Sequence, residues 1–385
     1  MVSDDRRSKE APGFYYRQAT LAGNLHRTFS ELSLVPSAHS SRIPSLDGLR
    51  AVSIALVVLG HLAGTRNFPT HIPFIGSYAN FGVRVFFVIS GYLITTLLIK
   101  EHDKTGRIDL LEFYRRRAYR ILPPAYLYML LICLVGWSQL TALNVFSAFT
   151  YISNYFIATT PWRLGHLWSL SIEEQFYVLW PAALVFAFAR GRRIALSVVL
   201  LAPLLRIVFY FAGFQYIEYY FPTVADAIAT GCLLAIVWPD LKRFDRILLS
   251  RFIVIVPILT LAIPLLRGTG LENRIYQTFG VSIMHLGIAI CIYNCIRKEW
   301  HCLNHPAIVW IGLTSYSLYL WQQAFLDRGD QAHWWTAFPQ NLVLAFIAAA
   351  CSYYFVERLF LRLRDSGYRE PVPVTASAVS VGSTP

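Results

Sequence analysis

Charged side chains are scarce. They make up 15% of the 385 residues, against about 25% in an ordinary soluble protein. Hydrophobic residues reach 56%, and the mean hydropathy is +0.47. So few charges cannot keep a surface of this size wet, so lipid is the solvent for much of the chain. A soluble enzyme and a disordered protein are excluded. A disulfide framework is excluded as well. Four of the six cysteines, Cys133, Cys232, Cys291 and Cys351, lie inside apolar runs, where a thiol behaves as a small hydrophobe. Cys291, Cys295, His301, Cys302 and His305 fit no compact Cys/His pattern, so no metal is expected. No apolar run precedes about Leu49, so no ordinary signal peptide is expected.

What the chain does contain is a series of apolar runs long enough to span a bilayer as helices. They cover approximately 49–65, 81–99, 123–143, 167–189, 194–213, 223–239, 250–267, 278–296, 306–325 and 340–361. The apolar stretch 145–158 is too brief to cross with ease and reads as re-entrant or interfacial. The expected fold is an all-α bundle of about ten transmembrane helices, with both termini on one side. Residues 1–45 form a polar, basic arm and residues 362–385 a Pro/Ser/Thr-rich tail, both expected to be disordered and cytoplasmic. The net charge of +12 belongs to this topology rather than to nucleic-acid binding. The arm, the tail and the loops on one side hold most of the 34 Lys/Arg. The opposite loops hold Arg66, Arg163, Arg267, Arg274 and Arg328 alone. The positive-inside rule makes the basic side cytoplasmic.

A charge within the bilayer costs free energy and is a functional suspect. The first span carries Asp47 and Arg50 at its basic end and His61 further along. Arg50 and His61 are close to three full turns apart and share one face, with a rise of roughly 16 Å between them. The structural alternative is a capping Asp47, a snorkelling Arg50 and a hydrogen-bonded His61. Arg84 and the small pair Ser90-Gly91 mark the second span, the pair suiting close helix approach. In the basic stretch that follows, Arg117 and Arg120 are one turn apart, beside Arg116. Arginine grips phosphate by paired hydrogen bonds, and it also binds anionic lipid. Glu173 and Glu174 are adjacent carboxylates in an apolar helix and diverge by about 100°. Arg206 and Asp226 are candidates for a structural ion pair.

Five segments in order resemble the acyltransferase 3 family of bacterial integral-membrane O-acyltransferases. They are Leu46-Asp47-Gly48-Leu49-Arg50 followed by His61, Phe86 to Tyr92, Arg117-x-x-Arg120-Ile121-Leu122-Pro123, His166 to Tyr177, and Tyr316 to Trp321. The resemblance runs from about Ile43 to Glu357. It implies a ten-helix domain, 46–361 here, in the bacterial inner membrane. Such a domain takes an acyl group, acetyl being the expected one, from acyl-CoA and places it on a hydroxyl of a glycan or glycoside. His61 matches the family's essential histidine and Arg50 its partner arginine. Arg117 and Arg120 match the arginines associated with the CoA donor. One departure is Gln322, where family members commonly have His; it argues against proton handling at that position. The extra C-terminal esterase-like domain of some members is not expected here.

Acyl transfer needs a base for the hydroxyl and a grip on CoA. Neutral imidazole suits the first task, so His61 is the expected general base. Its orienting carboxylate would be Glu173 or Glu174, with Asp47 further away. Donor phosphates would lie near Arg117 and Arg120, with Arg116 adjacent. No tightly bound cofactor is required. A transporter or flippase of an anionic or glycan-linked solute is the rival reading, and a membrane sensor the third.

Overall fold

A computed structural model of the protein describes residues 43–69, 75–266 and 271–366. The disorder expected for the arm and the tail falls almost wholly outside these residues. Among the described residues the regular structure is entirely helical.

Helix α1 spans Pro44–Leu62, α2 Ser77–Thr105 and α3 Leu110–Gly136. Helices α4 (Leu167–Ala187) and α5 (Gly191–Phe211) belong to one apolar helical stretch that begins at Trp162. Then come α6 (Phe221–Leu241), α7 (Val281–Lys298), α8 (Pro306–Phe325) and α9 (Gln340–Ser352). By length and apolarity, 7 helical segments among the described residues can cross a membrane. Two expected spans share the segment Trp162–Phe211, and the one at 250–267 is a shorter apolar helix, Arg251–Leu266. Helix α8 is not among the seven, and its residues give the reason. Thr314, Ser315, Ser317, Gln322 and Gln323 are all buried, so this helix turns polar groups inward. The stretch 145–158 does not cross. Its helix Ala142–Phe149 is only 8 residues long and starts at a Thr141–Asn144 capping box.

Close helix approach sets the register. A Cβ on Gly91 would come 1.9 Å from the Ile228 carbonyl oxygen, and one on Gly231 2.0 Å from that of Val88. The small residue at 91 therefore does admit another helix, α6, to backbone contact. Gly312 of α8 meets the Asp47 carbonyl of α1 in the same way. Helix α2 runs antiparallel to α1, with Gly82 against the Ser53 carbonyl and Gly60 against Ala79.

Away from the α1–α8 interface, one buried ion pair is closed within the bundle. The Arg206 and Asp226 side chains are 2% and 0% exposed and meet through two hydrogen bonds, 3.2 and 3.0 Å. Ser282 donates to the same carboxylate at 2.7 Å, and His285 Nδ1 stands 3.3 Å from it. This node ties α5, α6 and α7 together. Asp226→Ala strands the buried Arg206 charge, so it should destabilise the solubilised protein by roughly 3–5 kcal/mol. Thermal unfolding in detergent checks this; an unchanged midpoint would show that the pair carries no structural load.

Candidate active site

Three helices turn polar stripes toward one another. On α1 they are Asp47, Arg50 and His61. On the turn Trp162–Gly165 and α4 they are Trp162, His166, Ser169, Glu173 and Tyr177, spaced by three or four residues and hence on one face. On α8 they are Ser315, Tyr319 and Gln322. Because α1 and α8 run in parallel and α4 opposes them, the stripes stack in layers from the Pro44 end of α1 to its Leu62 end.

The layers nearer the Pro44 end enclose a cavity, about 750 Å³ of space including its open mouth. Arg50, Arg117, Arg120 and Glu173 line it, together with Ser90, Tyr177, Ser315 and Tyr316. Three of the four arginines expected at the site, Arg50, Arg117 and Arg120 but not Arg116, thus converge with one of the two glutamates. Arg50 is held by Asp47 at 3.3 Å. The Arg117 guanidinium lies 4.0 Å above the Tyr177 ring, and its Nε is buried without a partner. Glu173 interacts with Ser90 and Tyr177, whose hydroxyls bond each other. Arg116 points elsewhere, to Glu101 at 3.0 Å and Glu112 at 3.5 Å, because it is 100° around α3 from Arg117. Glu174 likewise does not line the cavity, and its Oε1 is buried without a partner.

The cavity's inner wall includes Ser169 and Tyr319. Their hydroxyls are 2.5 Å apart and share the His166 carbonyl, 3.2 and 3.0 Å away, so one hydroxyl donates to the other and the second donates to the carbonyl. One turn beyond this pair lies the histidine layer. His61 Nδ1 is 2.8 Å from Gln322 Oε1, and His166 Nδ1 is 2.8 Å from Gln323 Oε1. So His61 shares the bundle with Glu173 and Asp47 but does not use them. Its partner is an amide, where a carboxylate was expected. The parallel register of α1 and α8 causes this, since it sets Gln322 level with His61 and leaves Asp47 level with Gly312. Beyond His61, the Trp162 ring stands edge-on at 5.3 Å. Arg328 crosses over Trp162 at 5.4 Å and donates to the Gly60 and His61 carbonyls at the end of α1. Burial lowers the pKa of this guanidinium from the ordinary arginine value.

One carboxylate beside the cavity was not read from the sequence. Glu357 is 2% exposed, accepts a hydrogen bond from Ser317 at 2.9 Å, and interacts electrostatically with Arg120 and Arg50. It ends a π-helical turn, Tyr353–Glu357, a feature frequent at functional sites. A carboxylate in an apolar run was the available signal.

A family model for an acyltransferase domain matches residues 43–357. Among curated proteins, a putative O-acetyltransferase of Staphylococcus aureus strain COL is 30% identical over 362 residues, 83% of this chain and 57% of its own length. The O-acetyltransferase OatA of the same strain is 32% identical over 365 residues, 85% of this chain and 58% of its own. The chain therefore spans less than two thirds of the length of these relatives. No solved structure matches it. The arginine-lined cavity and the histidine layer beyond it are built from the segments that the family model covers, and by that match the chain belongs to the acyltransferase 3 family.

Proposed function

We propose that this chain is a membrane O-acyltransferase that moves an acyl group, acetyl being the expected one, from acyl-CoA to a hydroxyl of a glycan or glycoside. The observation that carries this reading is the cavity itself. Arg50, Arg117 and Arg120 converge at one end of it, and its far wall adjoins the His61 layer. The arginines suit the phosphates of CoA, since guanidinium offers paired donors to phosphate oxygens. Glu173 and Glu357 offset the mutual repulsion of these arginines. The thioester would extend inward between Phe86, Phe87 and Tyr319, to the wall that faces the histidines.

At that wall His61 acts as general base. It takes the proton of the acceptor hydroxyl while the hydroxyl oxygen forms a bond to the thioester carbonyl carbon. The carbon–sulfur bond then breaks, and the proton ends on the CoA sulfur. Gln322 holds the imidazole in place through Nδ1. Arg50, kept by Asp47, serves the donor rather than the base.

In this reading the bundle crosses a bacterial inner membrane ten times, with the Pro44 end of α1 and both termini in the cytoplasm. Acyl-CoA then reaches the arginines from the cytosol. Mass spectrometry of surface glycans and small glycosides from cells with and without the gene tests the function. An increment of one acyl group, lost with the gene, is the expected result. Identical profiles under conditions where the protein is made would contradict it.

A further inference from the structure

Three polar atoms around His61 are buried and have no hydrogen-bond partner: Nε1 of Trp162, Nε2 of Gln322 and Nε2 of His166. His166 is 2% exposed and Gln322 0%. The three belong to one layer. Trp162 is edge-on to His61. Gln322 grips His61 through its other amide atom. His166 follows Trp162 by four residues on the same face, within electrostatic reach of His61. Buried polar atoms are almost always paired, and a cluster of exceptions calls for a cause such as a water or a ligand.

The indole N–H only donates. The His166 backbone N–H donates to Gln323 Oε1 at 3.0 Å, which identifies that amide atom as the oxygen. His166 Nδ1 is 2.8 Å from the same oxygen, so it must carry a proton. Neutral His166 is therefore the Nδ1–H tautomer, and its Nε2 is a bare lone pair that only accepts. Gln322, with Oε1 toward His61, presents its NH2 as a donor. The layer offers two donors and one acceptor beside the proposed base.

A single hydroxyl engaged by His61 leaves most of this set unused. Two neighbouring hydroxyls satisfy it. One gives its proton to His61. The next donates to His166 Nε2 and accepts from Gln322 or Trp162. We propose that Trp162, His166 and Gln322 form the acceptor subsite, and that it selects a vicinal diol of the kind a sugar ring carries. His166 binds the acceptor here and is not the base. This assignment rests on the acyl-transfer reading above.

The test uses the full chain in nanodiscs, radiolabelled acetyl-CoA, and two acceptor probes, methyl glucoside and 1-propanol. Trp162→Phe keeps the ring and removes the N–H. His166→Phe keeps the ring shape and removes the lone pair. Each should lower the preference for methyl glucoside over 1-propanol, read as the ratio of kcat/KM values, by roughly tenfold or more, because the site's polar atoms no longer discriminate. The change should appear mainly in the KM for methyl glucoside, with the acetyl-CoA Kd within about twofold of the parent, since donor and acceptor layers are separate. Trp162→Phe keeps the test decisive if His166→Phe fails to insert. An unchanged preference in an inserted variant, or a parent protein indifferent between the probes, overturns the subsite and leaves acyl transfer standing. A parent that binds acetyl-CoA but acylates neither probe overturns both.

Discussion

The His61→Gln protein is expected to insert in the membrane, to bind acyl-CoA as tightly as the parent, and to transfer acyl groups roughly 10²–10⁴-fold more slowly. Glutamine retains a hydrogen-bonding tip but cannot take up a proton at neutral pH. The backbone around the position should tolerate the change, because Arg328 bonds the carbonyls of Gly60 and His61 and not the ring. Donor binding should survive because His61 is not part of the cavity wall. Single turnovers with labelled acyl-CoA separate the two effects. Near-normal transfer by this variant would reduce His61 to a structural residue, and the mechanism would fall with it.

The second large effect belongs to the arginines. Changing Arg117 and Arg120 together to Ala should weaken acyl-CoA binding at least tenfold, since each charge-assisted hydrogen bond contributes about 1.5–3 kcal/mol. Arg117 also covers the Tyr177 ring at 4.0 Å, so part of any loss comes from packing. Lysine at both positions provides the control. It keeps the charge and most of the packing but gives up bidentate phosphate contacts, so its affinity should fall between parent and alanine variant. Arg116→Ala should leave donor affinity close to the parent value, because its partners are Glu101 and Glu112 on the protein surface. Equilibrium binding of acyl-CoA to the three purified variants gives the order. An undiminished affinity in the double alanine variant would leave these arginines as topology anchors.

How far the site was legible in the sequence depended on whether its residues share a helix. Arg50 and His61 do, and so do Arg117 and Arg120, and helical periodicity places each pair on one face. The stripe Trp162, His166, Ser169, Glu173 and Tyr177 has the same periodicity. The adjacent carboxylates at 173 and 174 drew the reading away from it, although only Glu173 lies on that stripe and lines the cavity. Partnerships between helices were harder. That Gln322 meets His61 follows from the parallel register of α1 and α8, which rests on the Gly312–Asp47 contact. No single helix encodes that register. Glu357 was missed for a related reason, since a π-helical turn shifts the face on which it lies. Segments long and apolar enough to cross a membrane were legible as apolar runs, except where buried polar side chains lower the apolarity. Helix α8 carries buried hydroxyls and amides on its inward face and falls outside the seven segments apolar enough to cross.

In the proposed reaction the arginine-lined cavity and the His61 layer together pass an acyl group from a thioester to a hydroxyl. Its most direct test is a single-turnover reaction of the full chain in sealed vesicles, with acyl-labelled acetyl-CoA outside and methyl glucoside present. Free CoA thiol and an alkali-labile ester of methyl glucoside are expected in equal amounts, both forming roughly 10²–10⁴-fold more slowly with His61→Gln. Intact acetyl-CoA together with movement of a solute across the vesicle membrane would contradict it and make the protein a transporter.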